Sequence, residues 1–162
     1  MRAYTIKSIF GTVQGEGFHA GRVATFIRFA GCNLWSGRDE DRHLNPVGGA
    51  RCPSWCDTDF RGGDRMRLTE LLLALAKGPQ RPLIVLTGGE PLLQVDEDLI
   101  LGLLAHTHAT IAIETNGSKE LNVSPRLRCD PRLGGTMAPK LPRDAINLSR
   151  CDEIKVVYPA YD

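Results

Sequence analysis

The chain has 162 residues, 42% of them apolar and 24% charged, with a formal net charge of +1. That is the composition of a globular protein with one modest core, and its near-neutral balance excludes an overall basic field for direct nucleic-acid binding. The opening Met1 to Lys7 lacks a secretory apolar core, and the longest apolar run, Leu71 to Ala76, is too short to cross a membrane.

Thr5 to Thr12 mixes β-branched and aromatic residues and predicts a first strand. Gln14-Gly15-Glu16-Gly17 follows as a polar turn, and Val23 to Ala30 predicts a second strand. Residues 31–64 then break into Gly, Pro, Asp and Arg, and a loop of that length is functional or disordered. Its cysteines favour function. A helix follows, with Thr69 as N-cap, Leu68 stapled onto Leu73, an apolar face of Leu71, Leu72 and Leu75, and a stop at Gly78. Pro82 to Leu86 is a continuous apolar strand. A second helix starts near Asp96, with Glu97 and Asp98 at its positive end and Leu99, Ile100, Leu103 and Leu104 facing the core. Thr110 to Ile113 is another buried strand, and Ile154 to Tyr158 reads as the last. Residues 118–150 show no clear period. This rhythm of strand, helix and strand predicts a single α/β domain over residues 1–162, with ligands beyond the carboxyl ends of its parallel strands. Two polar motifs sit there, Thr87 to Pro91 and Glu114 to Gly117.

Five cysteines without an export signal imply reduced thiols in the cytoplasm, so metal ligation or catalysis outranks disulfides. Cys32, Cys52 and Cys56 all fall in the long loop. Thiolates are soft ligands for iron–sulfur clusters or zinc. Three of them leave one iron of a cluster open for a ligand. Zinc would need a fourth donor, for which His43 is placed, and plain buried thiols are the third possibility. Cys129 and Cys151 read as free buried thiols.

Six segments in order resemble the 7-carboxy-7-deazaguanine synthase family of radical S-adenosylmethionine enzymes: Ile9 to Arg42 with its QGEG and AGCNLW, CDTDF at Cys56 to Phe60, LTGGEPLLQVD at Leu86 to Asp96, ETNGS at Glu114 to Ser118, VSPR at Val123 to Arg126, and DEIKVVYP at Asp152 to Pro159. The resemblance implies a partial (β/α) barrel lacking the family's C-terminal part. It implies a [4Fe–4S] cluster, S-adenosylmethionine and Mg2+. The activity implied is conversion of 6-carboxy-5,6,7,8-tetrahydropterin to 7-carboxy-7-deazaguanine with loss of ammonia, a step of queuosine biosynthesis. It further implies a homodimer and a reducing partner such as a flavodoxin.

Residue by residue, the resemblance assigns Cys32, Cys52 and Cys56 to the cluster and Thr58 to magnesium. Gly88, Gly89, Glu90, Ser124, Pro125 and Arg126 are assigned to S-adenosylmethionine, with Trp55 flanking its adenine. In this family a lysine is usual where Arg126 stands. Val13, Gln14, Gly15, Glu16 and Arg28 are assigned to the pterin, with Thr87 and Asn116 adding polar contacts. Arg28 offers a carboxylate a two-pronged partner.

Two features depart from the family's pattern. Nineteen residues separate Cys32 from Cys52 and three separate Cys52 from Cys56, where members place two between the last pair. The chain also stops soon after DEIKVVYP. Both keep a second reading open, a non-catalytic homologue that binds cluster or pterin. A glycyl-radical activating enzyme and a small zinc module are the remaining alternatives; QGEG and the CDTDF context argue against the former.

Overall fold

A computed structural model of the chain describes residues 2–43, 50, 52–141 and 143–156. Within them lies one mixed sheet of seven strands in the order β3-β1-β2-β4-β5-β6-β7. The strands are β1 (Ala3–Val13), β2 (Val23–Phe29), β3 (Asp64–Arg67), β4 (Leu83–Gly88), β5 (Thr110–Thr115), β6 (Leu133–Met137) and β7 (Glu153–Ile154). From β2 to β7 every neighbouring pair is parallel, while β1 is antiparallel to β2 and β3 to β1. The helices are α1 (Leu68–Lys77), α2 (Glu97–His106) and the single turn α3 (Pro125–Arg128). This is the α/β, mostly parallel architecture that the sequence predicts.

Side chains alternate across a strand, so each face has its own composition. One face buries Ile27, Phe29, Ile84, Leu86, Ile111 and Ile113 against Leu71 of α1 and Leu99, Ile100, Leu103 and Leu104 of α2. The other carries a small apolar patch of Ala24, Leu83, Val85 and Ala112. Beyond that patch it turns polar, with Arg28, Thr87 and Glu114 at successive strand ends, and there the site is built.

The second helix starts beside Asp96 as expected, and Asp96 caps it, its side chain accepting the Leu99 N–H at 3.0 Å. It also accepts the Tyr4 hydroxyl at 2.8 Å, tying α2 to β1. The start of α1 differs from the expectation. Its N-cap is Arg67, whose backbone N–H donates to Glu70 at 2.6 Å. Leu68 is already helical and packs on the core, while Leu73 is exposed, so the two form no staple. The reason is β3, which delivers the chain into α1 without a linker. β3 and β6 were not anticipated. Of the expected last strand over Ile154 to Tyr158, Ile154 lies in β7 with Glu153 before it, Lys155 and Val156 follow the strand, and Val157 and Tyr158 lie outside the described residues.

Candidate functional site

At the carboxyl ends of the parallel strands an open cleft of about 710 Å³ brings together segments from the whole chain. Cys32, Cys52 and Cys56 line it with Trp55, Thr58, Gly88, Gly89, Asn116, Glu16, Lys140 and Lys155. Residues 32–35 and 52–60 of the long loop therefore supply a wall of the site.

That wall has its own anchoring. Leu34, Ala50, Cys52 and Leu141 form a small core with Cys32 against it. The Trp35 and Phe60 rings meet edge to face at 5.7 Å. Arg42 sits over the Trp35 ring at 4.3 Å and donates to the Cys56 carbonyl at 3.1 Å. Asn33, beside Cys32, donates to the Ser118 hydroxyl at 2.9 Å and so joins the first cysteine to the turn after β5. The three-residue spacer between Cys52 and Cys56 is absorbed by a 3-10 turn at Cys52–Ser54, and the Cys56 N–H donates to the Cys52 carbonyl at 2.8 Å. One helical turn places residues four apart on one side, which is how both thiols reach the cleft.

The thiols share a cleft without being closed on one point. Among the described residues, no group of three or more His, Cys, Asp or Glu side chains is arranged to hold a metal ion. His43 accordingly completes no zinc site there. Burial pushes the Cys32 thiol up, and pushes Cys52 up to about 12, with Cys32 and Cys56 adding to the second shift. As a donor set, three thiols with a cation beside them fit an iron–sulfur cluster, because ligation removes the proton that burial retains. That cation is Lys140. Burial lowers its pKa, and the neighbouring Cys52 and Cys56 oppose the shift.

Gly88 and Gly89 form the turn at the end of β4. Gly88 has φ +143°, and a Cβ there would overlap the Phe29 carbonyl oxygen. A Cβ on Gly89 would overlap the Gly31 carbonyl oxygen. The pair thus lets the turn press against β2 and the residue before Cys32, a packing reason independent of any ligand. Glu90 is fully buried and does not line the cleft. Its carboxylate accepts from Leu92 N at 2.9 Å, Thr115 Oγ1 at 2.8 Å and Asn116 N at 2.8 Å. Burial raises its pKa while those donors oppose the rise. Three protein donors thus make the Glu90 carboxylate a brace between β4 and β5, set behind the cleft wall.

Beside the cleft a polar cluster uses residues of the first turn. Gln14, buried, donates to Glu114 Oε1 at 2.9 Å, and Thr87 donates to Glu114 Oε2 at 3.2 Å. Asn116 lines the cleft. Arg28 lies over the Phe10 ring at 5.8 Å and faces a smaller hollow with Lys7, Asp57, Thr58 and Asp59, so Thr58 borders both spaces. Val13 is an exposed strand end and Gly15 meets open space; neither lines the cleft.

Ser124, Pro125 and Arg126 are not at the cleft. Ser124 caps α3, and its backbone N–H and hydroxyl donate to Glu97 at 2.9 and 2.7 Å, behind the sheet beside the start of α2. In their place the chain leaving β6 supplies Ala138-Pro139-Lys140, with Ala138 and Lys140 lining the cleft and Lys140 Nζ 4.9 Å from the centre of the Trp55 ring. This second Pro-basic step carries a lysine and follows a parallel strand. Lys140 and Lys155 line the cleft without having been assigned a role from the sequence, and neither was Glu114, which Lys155 bonds beside the cleft. Glu114 opens the polar motif after β5 and Lys155 lies in DEIKVVYP, while Lys140 had only the Pro-Lys step as a signal.

No protein-family model matches the chain. It is 40% identical over 170 residues to the 7-carboxy-7-deazaguanine synthase of Bordetella pertussis, covering 99% of this chain and 74% of that protein. It is 42% identical over 168 residues to the protein of the same name in Bradyrhizobium diazoefficiens, covering 97% and 72%. Its fold is similar to the crystal structure of QueE from Escherichia coli, with a TM-score of 0.67 at 28% identity, over 95% of this chain and 71% of that one.

Proposed function

The chain belongs to the 7-carboxy-7-deazaguanine synthase family, and we propose that it carries out the family's reaction. That reaction is the radical S-adenosylmethionine-dependent ring contraction of 6-carboxy-5,6,7,8-tetrahydropterin to 7-carboxy-7-deazaguanine, with release of ammonia, in queuosine biosynthesis. The observation that carries this reading is one cleft lined by three thiols, a glycine turn, Glu16, Asn116 and Lys155, with Lys155 bonded to Glu114 of the adjoining Gln14–Glu114 pair.

In this reading Cys32, Cys52 and Cys56 hold a [4Fe–4S] cluster, and Thr58 offers a hard oxygen to Mg2+. A bound cluster and S-adenosylmethionine supply the one-electron chemistry, with electrons from a donor such as a flavodoxin. The chain's own work is binding, orientation and exclusion of water. Gly88 and Gly89 fix the turn that Glu90 braces from behind. Trp55 and Lys140 flank S-adenosylmethionine from the other wall. Gln14, Glu16 and Glu114 present acceptors and one amide to the pterin's amide edge, Thr87 and Asn116 add polar contacts, and Arg28 pairs with the pterin carboxylate.

A second reading has one observation in its favour. Three residues separate Cys52 from Cys56 where the family places two, which fits a homologue that binds without turnover. Anaerobic reconstitution with iron and sulfide, followed by assay of the reduced protein for 5′-deoxyadenosine with and without the tetrahydropterin, separates the two. Substrate-dependent 5′-deoxyadenosine together with the deazaguanine product is the expected result. A folded, cluster-loaded protein that yields neither would overturn catalysis and leave the binding homologue.

A further inference from the structure

The short strand β7 and the residue just past it send two charged side chains, Glu153 and Lys155, toward the Gln14 to Phe18 turn. Glu153 accepts the Phe18 N–H at 2.8 Å and the Thr136 hydroxyl at 3.0 Å, one on each carboxylate oxygen. Gly17, at φ +68°, leaves room for that carboxylate, since a Cβ there would overlap it. Lys155 Nζ donates to Glu16 Oε2 at 2.7 Å and to Glu114 Oε1 at 3.3 Å. The first turn of the chain and the end of β5 are thus held together by one ammonium from near the end of the sequence.

The exposures indicate what this contact is for. The Glu16 side chain is 68% exposed and that of Lys155 only 22%. An ion pair with one partner so exposed contributes little to stability. What it fixes is direction. Glu16 and Lys155 both line the cleft. Among the described residues no donor bonds the second oxygen of Glu16, whereas Glu114 is already engaged by Gln14, Thr87 and Lys155. Without the lysine, two carboxylates would share this corner with no cation bonded to both. The Glu16 side chain would also be free to turn into solvent.

We propose that Lys155 is a positioning residue for substrate recognition. By holding Glu16 beside Glu114 it keeps one carboxylate oxygen available to a heterocycle edge bearing adjacent N–H donors, as in a 2-amino-4-oxopyrimidine ring. The proposal rests on the pterin reading given above. It adds that selection for the amino group depends on a residue just after β7 that need not touch the ligand.

The test is equilibrium binding by the full-length chain without cluster, followed by ligand fluorescence. The probes are 6-carboxypterin, the stable oxidised form of the substrate, and 6-carboxylumazine, in which a carbonyl replaces the 2-amino donor. Wild type is expected to prefer the pterin. Lys155→Met should lose about tenfold or more in pterin affinity, the scale of a charged hydrogen bond, with a much smaller loss for the lumazine. Lys155→Arg should keep the preference. Glu16→Gln should reproduce the loss, and the double variant should add nothing further, because coupled residues are non-additive. Equal losses for both probes, or losses that multiply in the double variant, would overturn the proposal. Should Lys155→Met melt early, Glu16→Gln alone decides, and unchanged discrimination by it overturns the proposal. Wild type that binds no pterin would overturn this inference and the pterin reading together. Wild-type discrimination that survives both substitutions would overturn this inference alone.

Discussion

Glu90→Ala is expected to destabilise the ligand-free protein by about 3 kcal/mol. Three donors converge on the carboxylate, the N–H groups of Leu92 and Asn116 and the hydroxyl of Thr115, at 2.8 to 2.9 Å. A buried donor stripped of its acceptor costs about 1–3 kcal/mol, so three approach an upper limit of roughly 9 kcal/mol. Two effects reduce that limit. The wild-type carboxylate itself carries a burial penalty, seen in its raised pKa, and the space left by the side chain can admit water to some of the donors. Removing one side of a buried charged network typically costs about 3–5 kcal/mol, and the lower end is taken here. Glu90→Gln keeps one acceptor oxygen but turns an amide N–H2 toward protein donors, and should lose about 1–2 kcal/mol. Urea unfolding measures both, read as a shift in midpoint at unchanged slope. A loss under about 1 kcal/mol for the alanine variant, with ligand binding abolished, would refute the bracing role and return Glu90 to direct ligand contact.

Lys140→Met should weaken S-adenosylmethionine binding to the cluster-loaded protein by about tenfold, whereas Arg126→Met should leave it unchanged; equilibrium dialysis of the two variants checks the exchange of Arg126 for Lys140. Stability against pH should show the Lys155 pair. Hydrogen bonding and charge from Lys155 lower the Glu16 pKa from 4.5, so that contribution is present above 4.5 and is lost as pH falls below it. Burial lowers the Lys155 pKa, but the bonds to Glu16 and Glu114 outweigh it and raise the pKa above 10.5, so this contribution is present below 10.5 and is lost above. Lys155→Met should flatten both limbs of a melting-temperature profile by small amounts, given the exposure of Glu16.

Periodicity carried the parts of the fold that burial dictates. Leu99, Ile100, Leu103 and Leu104 are all buried in α2 as their spacing requires, and the apolar runs before Thr87 and Glu114 are central parallel strands. It failed where a strand lies at an edge or lacks side chains. β3 reads DRMR and is largely exposed, and β6 reads LGGTM with two glycines. Missing β6 had a consequence for the site. With no strand before it, Ala138-Pro139-Lys140 looked like loop, and Ser124-Pro125-Arg126 took its place. Serine followed by proline is equally a helix N-cap with proline in the first turn, which is what Ser124 and Pro125 are. Glu114 and Lys155 each stand in a sequence motif, but their partnership was not legible for another reason. Their pairing joins residues 41 apart, and no local pattern encodes a contact made by strand order.

The glycine turn offers the sharpest separation of packing from ligand chemistry. A methyl on Gly89 would overlap the Gly31 carbonyl oxygen and lie 2.9 Å from the Cys32 Cβ. The same carbonyl accepts the Glu90 N–H at 2.9 Å. Both obstacles belong to the segment that carries the first thiol, and one of them is backbone, so relief requires Gly31 and Cys32 to move away from β4. Overpacking of this kind costs about 1–3 kcal/mol. Gly89→Ala should therefore lose stability by that amount in the ligand-free protein and also lower iron–sulfur loading, since Cys32 moves with Gly31. Urea unfolding and iron and sulfide content after reconstitution report the two effects separately. If the glycine served only to admit a ligand, the variant would melt and load iron like wild type and fail only in S-adenosylmethionine binding. That outcome would refute the packing account of the turn.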